Sequence, residues 1–325
     1  MTSAQESRIR VTDADDELYR RVRAGESSAV ARALTRIERR GSGADGLVTR
    51  FLANTGRARI IGVTGAAGSG KSTLVAALTA EYRRRGASVG ILAVDPSSSA
   101  SGGAILGDRI RMSSLAGDSG VFIRSLATRG AHGGLSRAVL DGIAVLDAAG
   151  LDVVIIETVG IGQADVDVAV LAQSVAVLSV PGMGDDVQAI KAGVLEIADI
   201  HVVNKADRPG ADVAIAQIRE VLRLAARKPR QWNVPIQPTV ATTGAGIEEL
   251  ADLFAAHLAW LTEHGGNDAR ARRTAATRIR WAAEELIMAK LRPGVPEFDD
   301  AVGQVAGRDT DAATAARRLL NGGYR

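Results

Sequence analysis

The hydrophobic pattern changes twice along the chain. Residues 1–55 carry apolar side chains at helical spacing among Arg and Glu residues, namely Leu18, Val22, Val30, Leu34 and Ile37. Short runs of Val, Ile and Leu then alternate with amphipathic stretches, a pattern typical of strands that are buried on both faces and connected by helices. It predicts seven strands, over residues 60–63, 89–94, 121–126, 153–156, 175–180, 201–203 and 236–240.

This order of elements predicts an α/β protein with a doubly wound, mainly parallel sheet over residues 56–262. Helical extensions precede and follow it, at residues 1–55 and 263–325. In the second extension we predict helices over 263–273, 274–291 and 309–320, with Pro293, Gly294 and Pro296 breaking the chain. Neither extension is long enough for a large core of its own, so each should pack on the α/β domain or on a partner subunit.

The composition excludes several classes of function. The 325 residues are 46% hydrophobic and 24% charged, which is enough apolar material for a sizeable core. The absence of cysteine excludes a disulfide scaffold, a thiolate metal site and a cysteine nucleophile. A net charge of +3 gives no nucleic-acid footprint. No apolar run reaches the ~18 residues of a membrane helix, and the polar N-terminus does not resemble a secretory signal. We expect a cytoplasmic protein that binds neither nucleic acid nor membranes.

A phosphate-binding motif follows the first predicted strand. Residues 65–72 match G-x-x-x-x-G-K-[ST] between a strand and a helix, which is the context that the motif requires. Glycines let the loop point its N–H groups at phosphate oxygens, and the helix N-terminus adds partial positive charge. Lys71 should contact the β- and γ-phosphates, and the Ser72 hydroxyl should ligate Mg²⁺. The predicted nucleotide-binding residues here are Gly65, Ala66, Ala67, Gly68, Ser69, Gly70, Lys71, Ser72 and Thr73.

Three acidic residues are candidates for the same magnesium site. Glu157 follows a predicted strand and precedes Gly160, whose amide could contact the γ-phosphate. Glu157 could reach the ion directly or through water, or could only cap the strand. Asp95 ends the second predicted strand and could instead be a turn residue. Asp108 lies in a Gly-flanked stretch and could instead cap the following helix.

A guanine-reading motif follows the sixth predicted strand. Asn204, Lys205 and Asp207 form N-K-x-D. The Asp carboxylate can accept hydrogen bonds from guanine N1–H and the 2-amino group, donors that adenine does not offer there. The Lys stem should pack over the base, and Asn204 should tie this loop to the phosphate loop. Ala241 and Thr242 are placed to offer a backbone N–H to guanine O6, which their sequence alone leaves open.

Together these residues resemble one family of GTPases. Six stretches are similar to those of the methylmalonyl-CoA mutase-associated GTPases (the MeaB/ArgK-like group), in the signal-recognition/MinD/BioD class of P-loop GTPases. They are GAAGSGKST, VDPSSSASGGAILGDRIRM, FIRSLATRG, IIETVGIGQ, VPGMGDDVQAIKAG and NKAD. The resemblance covers residues 55–260. It implies a homodimeric, Mg²⁺-dependent GTPase with residues 263–325 as dimerisation arm. It also implies that the protein gates adenosylcobalamin delivery to a B12-dependent acyl-CoA mutase and protects or reactivates that mutase.

The resemblance also implies residue roles. It places Asp95, Asp108 and Glu157 around Mg²⁺ and the γ-phosphate. It places Lys191, with Asp185 and Asp186 before it, in a loop that couples the nucleotide state to the partner.

The sequence departs from the family pattern at three places. Ala67 stands where Pro is frequent, and Asp165 stands where Glu is usual. Ala241 and Thr242 replace the usual Ser-Ala pair, which weakens the prediction of an O6 contact.

The predicted reaction is hydrolysis of GTP to GDP and phosphate. Phosphoryl transfer depends mainly on positioning and charge neutralisation. Lys71, the loop amides and Mg²⁺ would supply the charge, and Asp108 or Gln163 would orient the water. We favour Asp108, because a carboxylate can also accept the proton. Since no arginine is an obvious activating residue in cis, we expect slow hydrolysis that a partner accelerates.

Three alternatives are weighed against this hypothesis. A nickel-insertion metallochaperone GTPase would need a His/Cys cluster, whereas the four histidines are scattered along the sequence. A kinase linked to amino-acid transport would need an acceptor-hydroxyl site, and N-K-x-D argues against ATP. A scaffold without hydrolysis would have no use for Lys71, Ser72 and Glu157.

Overall fold

The computed structural model describes residues 12–39, 43–95, 115, 117–127, 137–158, 163–182, 194–224 and 232–321. The chain divides into two compact units, Met1–Ala271 and Arg272–Arg325. None of the helices in the described ranges is both long enough and apolar enough to cross a membrane.

Seven parallel strands form the centre of the first unit, in the order β3-β2-β4-β1-β5-β6-β7. The strands are β1 (Arg59–Gly65), β2 (Val89–Asp95), β3 (Val121–Ala127), β4 (Val153–Thr158), β5 (Ser174–Ser179), β6 (Ile200–Asn204) and β7 (Ile236–Thr239). This arrangement confirms the seven predicted strands and the parallel α/β fold.

Helices connect these strands and precede them. The helices before the sheet are α1 (Asp13–Arg23), α2 (Ser27–Arg39) and α3 (Ala44–Leu52). Those between and after the strands are α4 (Lys71–Arg84), α5 (Arg137–Ala148), α6 (Gln163–Leu171), α7 (Ala211–Leu224) and α8 (Ile247–Glu263), with a 3₁₀ turn at Val194–Ile197.

The sheet is buried on both faces because its strands carry continuous apolar runs. Every residue of β4 and β5 is buried. On one face, alternate residues such as Val63 form a core with Leu74 of α4 and Phe254 of α8. On the other face α6 lies directly on β1. A Cβ at Gly62 would meet Val168 Cγ2 at 2.7 Å, so glycine permits this approach.

The N-terminal helices pack through one buried apolar face that includes Val30, Leu34 and Phe51. Asp147 of α5 holds the connection from α3 to β1. Its carboxylate accepts the backbone N–H groups of residues 56, 57 and 58 at 2.6, 3.2 and 3.1 Å. The start of β1 is therefore fixed to α5 by three hydrogen bonds.

The C-terminal helices are α9 (Gly266–Lys290), α10 (Pro296–Ala306) and α11 (Ala312–Leu320). α9 is one helix where we predicted two adjacent segments. Helix α10 was not predicted from the sequence, because Pro296 was interpreted as a helix breaker. It stands instead at the first position of α10, where a missing N–H costs nothing and the fixed φ suits a helix.

His201 is a buried histidine in β6. It is 1% exposed, and within the described ranges neither of its ring nitrogens has a hydrogen-bond partner. Burial lowers the pKa of His201 from 6.5 to about 4, because the imidazolium would lose its hydration. The folded protein therefore holds this side chain neutral at pH values where the unfolded chain binds a proton.

We expect His201→Leu to make the free energy of unfolding less dependent on pH. The pKa of His201 is lower in the folded state, so its effect is stabilising above pH 6.5 and is lost as the pH falls towards 4. Between pH 7.5 and 5 the wild type should lose about 2 kcal/mol more than the variant, as measured by urea unfolding. The exposed His264, as His264→Gln, is the control. Equal pH dependence of wild type and His201→Leu would contradict this explanation.

Candidate functional site

The carboxyl ends of β1, β4, β6 and β7 bring the predicted motifs to one edge of the sheet. β1 continues through residues 66–70 into α4, so the phosphate loop has the predicted strand–loop–helix context. Two of its glycines allow close approaches. A Cβ at Gly65 would lie 2.5 Å from the carbonyl oxygen of Leu178, and one at Gly70 would lie 2.5 Å from Asn204 Nδ2. Gly70 also has φ of 92°, which disfavours any other residue.

Lys71, the first residue of α4, folds back over the loop. Its Nζ donates to the carbonyl oxygens of Gly65 at 2.8 Å and Ala66 at 3.0 Å. A phosphate oxygen is a stronger acceptor for an ammonium than a neutral carbonyl, because the hydrogen bond then joins two charges. Lys71 is therefore already within the loop that would hold the phosphates. Thr73, two residues on, is exposed.

Ser72 and Glu157 meet at the same edge. Ser72 Oγ donates to Glu157 Oε1 at 2.6 Å, and both side chains are buried. Glu157 pairs with Val63 of β1 in the sheet, which places it beside the phosphate loop. A hydroxyl and a carboxylate are both oxygen ligands of the kind that Mg²⁺ prefers. The donor set therefore fits a magnesium ion.

The next residue pair along these two strands is also polar. Thr158 Oγ1 donates to Thr64 Oγ1 at 2.8 Å, and both residues are buried. Since Thr158 follows Glu157 and Thr64 precedes Gly65, this hydrogen bond joins the two strands where they enter the site.

Asn204 joins three segments of the edge. Its Nδ2 donates to the carbonyl oxygen of Ser69 at 2.9 Å. Its Oδ1 accepts from Thr239 Oγ1 at 3.1 Å and from the N–H of Ala241 at 3.3 Å. The side chain is buried. The loop after β6 is thereby tied both to the phosphate loop and to the turn after β7.

The residues after Asn204 reach towards the same loop. Lys205 Nζ donates to the carbonyl oxygen of Gly68 at 2.9 Å, and Lys205 adopts the left-handed conformation with φ of 56°. Asp207 lies in the following turn and is exposed, so its carboxylate is accessible to a ligand. In the turn after β7, Ala241 is buried and Thr242 is exposed.

Other predicted site residues cannot be placed by their side chains. Only the backbone is described for Asp95, the last residue of β2, and for Gln163, the first residue of α6. Asp108, Gly160, Asp185, Asp186 and Lys191 lie outside the described residues. Their roles stay predictions.

A polar group at the opposite edge of the sheet was not predicted from the sequence. His257 of α8 pairs through Nδ1 with Ser174 Oγ, and its Nε2 lies 3.3 Å from Asp199 Oδ1. Burial, and then the nearby Arg270, lower the pKa of His257 to about 4, so the imidazole is neutral. The sequence carries no local signal for this group, because its members lie on separate elements.

Comparison with known proteins decides the family. Residues 30–294 match the family model described as methylmalonyl-CoA mutase-associated GTPase MeaB. The chain belongs to this family. It is a P-loop GTPase, as its motifs predicted, and both the family assignment and the GTP hydrolase activity are confirmed.

Relatives from distant organisms share most of the chain. A Pyrococcus horikoshii protein whose name includes the word GTPase is 44% identical over 307 residues, 94% of this chain and 97% of its own length. The GTPase ArgK of Escherichia coli is 39% identical over 241 residues, 72% of this chain and 73% of its own. The mouse mitochondrial methylmalonic aciduria type A homolog is 34% identical over 257 residues, 73% of this chain and 61% of its own.

A solved structure supports the same architecture. The crystal structure of a LAO/AO transport system kinase superposes with a TM-score of 0.71 at 26% identity. The superposition covers 96% of this chain and 98% of that one.

We expect Gly70→Ala to damage the site more than Gly68→Ala. Both glycines have positive φ, 92° and 79°, so each substitution costs about 1 kcal/mol in backbone strain. Only the Cβ at residue 70 would collide with Asn204, whereas residue 68 has open space. Gly70→Ala should therefore weaken GDP binding by about tenfold more than Gly68→Ala, measured by fluorescence titration. Equal affinities of the two variants would show that the contact with Asn204 does not shape the site.

Proposed function

We propose that this GTPase is a chaperone of adenosylcobalamin-dependent methylmalonyl-CoA mutase. It would gate delivery of the cofactor and protect or reactivate the mutase. The observation that carries the proposal is the family match over residues 30–294, since that family is described by its association with the mutase. The name of the mouse relative, a methylmalonic aciduria type A homolog, supports the same metabolic context.

The residues at the carboxyl ends of the strands would each have a different role in GTP hydrolysis. The loop amides and Lys71 would bind the phosphates, and the Asp207 carboxylate would accept hydrogen bonds from guanine. Ser72 and Glu157 would hold Mg²⁺, which neutralises phosphate charge when bound. The Lys71 ammonium, which donates to the carbonyl oxygens of Gly65 and Ala66, would donate to the phosphates instead. Asp108 or Gln163 would orient the attacking water.

Coupling to the mutase and dimerisation are further parts of the proposal. Four residues would respond to the γ-phosphate and transmit the nucleotide state to the partner: Gly160, Asp185, Asp186 and Lys191. Residues 263–325 would form the homodimer. Exposed apolar side chains on α9 support a protein contact there: Ile279 is 72%, Leu286 53% and Met288 50% exposed.

Asp207→Asn should weaken GTP binding by about 100-fold. The NH₂ group of the new amide is a donor and would face a donor of guanine in place of an acceptor oxygen. Binding of xanthosine triphosphate should strengthen, because its C2 carbonyl can accept from the same amide. Competition against a fluorescent GDP measures both affinities. Asp212→Asn, an exposed carboxylate in the first turn of α7, is the matched control. An unchanged ratio of the two affinities in Asp207→Asn would mean that Asp207 does not contact the base.

Addition of methylmalonyl-CoA mutase from the same organism should accelerate GTP hydrolysis by at least about tenfold. We expect this acceleration because the motifs in the sequence identify no obvious activating arginine in cis. Phosphate release by the full chain, with and without the mutase, measures this effect. Lys71→Ala, which loses the phosphate-binding ammonium, should show no such rise. Hydrolysis that is indifferent to the mutase would leave the GTPase intact and contradict the chaperone function.

A further inference from the structure

Helix α6 connects the two edges of the sheet. It follows β4, which ends at the carboxyl edge where the phosphate loop lies (the nucleotide edge). It precedes β5, which begins at the opposite, amino edge. Its nine residues span about 13 Å. The first residue, Gln163, is therefore at the nucleotide edge, and the last, Leu171, is at the amino edge.

The C-terminus of α6 is closed by a residue from another helix. The last carbonyl groups of a helix have no partner within it, and a nearby cation stabilises them. α6 has no basic residue in its last turn. Arg270 of α9 supplies one. Its Nε donates to the carbonyl oxygen of Ala172 at 2.7 Å, and its Nη2 lies 3.5 Å from that of Ala169.

Arg270 is itself held at the amino edge. Its side chain is 13% exposed, and Nη2 lies 3.6 Å from Asp199 Oδ2. That carboxylate also accepts the N–H of Val175 at 2.9 Å, and its other oxygen faces His257. Trp232 Nε1 donates to the backbone carbonyl of Asp199 at 2.8 Å. Val175 of β5, His257 of α8 and Trp232 thus fix Asp199, which Arg270 contacts.

The same end of α6 is fixed to the strand that carries the phosphate loop. The N–H of Gln173 donates to the Ile60 carbonyl at 2.8 Å, and the N–H of Ile60 donates to Gln173 Oε1 at 2.9 Å. Val168 packs against Gly62 without space for a Cβ. A close-packed helix fixed in this way transmits a shift at one end to the other instead of absorbing it.

We propose that Arg270 is a positioning residue for GTP hydrolysis. By fixing the C-terminus of α6, it sets the backbone position of the opposite end of this helix, which begins at Gln163, the residue proposed above to orient the attacking water. The inference rests on the proposed function, because Gln163 is one of the two residues proposed there to orient water. The phosphate loop and the N-K-x-D residues lie on other elements, so loss of Arg270 should slow hydrolysis and leave GDP binding intact.

The test compares Arg270→Gln and Arg270→Lys with the wild type in the full chain. Arg270→Gln should lower kcat about tenfold and leave both KM for GTP and the affinity for GDP within about twofold. Arg270→Lys keeps the charge and should recover part of the rate. Arg273→Gln, an exposed arginine of the same helix, is the matched control and should behave as the wild type.

Two results would overturn the positioning role. One is a kcat of Arg270→Gln within about twofold of the wild type. The other is a parallel loss of kcat and GDP affinity, which indicates a general structural role. If Arg270→Gln does not fold, Arg270→Lys decides by the same comparison of kcat with GDP affinity. Absence of GTP hydrolysis in the wild type would instead refute the proposed function itself.

Discussion

The side-chain amide of Asn204 is the interaction on which the candidate site depends. It links the phosphate loop, the end of β6 and the turn after β7 through three hydrogen bonds in a buried position. Loss of one partner would leave a buried polar group unsatisfied, at a cost of about 1–3 kcal/mol. The segments predicted to hold the phosphates and the base therefore cannot move independently. The same amide explains why residue 70 is glycine, since a Cβ there would lie 2.5 Å from Asn204 Nδ2.

Features with a local pattern were predictable from the sequence. The seven strands follow from continuous apolar runs, and the phosphate loop follows from eight consecutive residues between a strand and a helix. Helix α10 was missed for a local reason as well. Proline breaks a helix in its interior and favours one at its first position, and the sequence does not show which applies to Pro296.

Features that join distant parts of the chain were not predictable. Thr239 meets Asn204 because β6 and β7 are neighbours in register, which the sequence does not state. The hydrogen bond between Thr64 and Thr158 depends in the same way on the pairing of β1 with β4. The contact of Arg270 with the end of α6 joins residues about 100 positions apart, so no spacing rule could reveal it. The predicted residues give the chemistry of the site, whereas the strand order gives its geometry.

The residues at this edge of the sheet are expected to select a guanine nucleotide. The most direct measurement is competition of GTP and ATP for the nucleotide-free wild type in the presence of Mg²⁺, followed by displacement of a fluorescent GDP. Adenine has no donors at the positions where guanine donates to the Asp207 carboxylate. GTP should therefore displace the probe at a concentration at least about 100-fold lower than ATP. Displacement by both nucleotides at similar concentrations would contradict the guanine site.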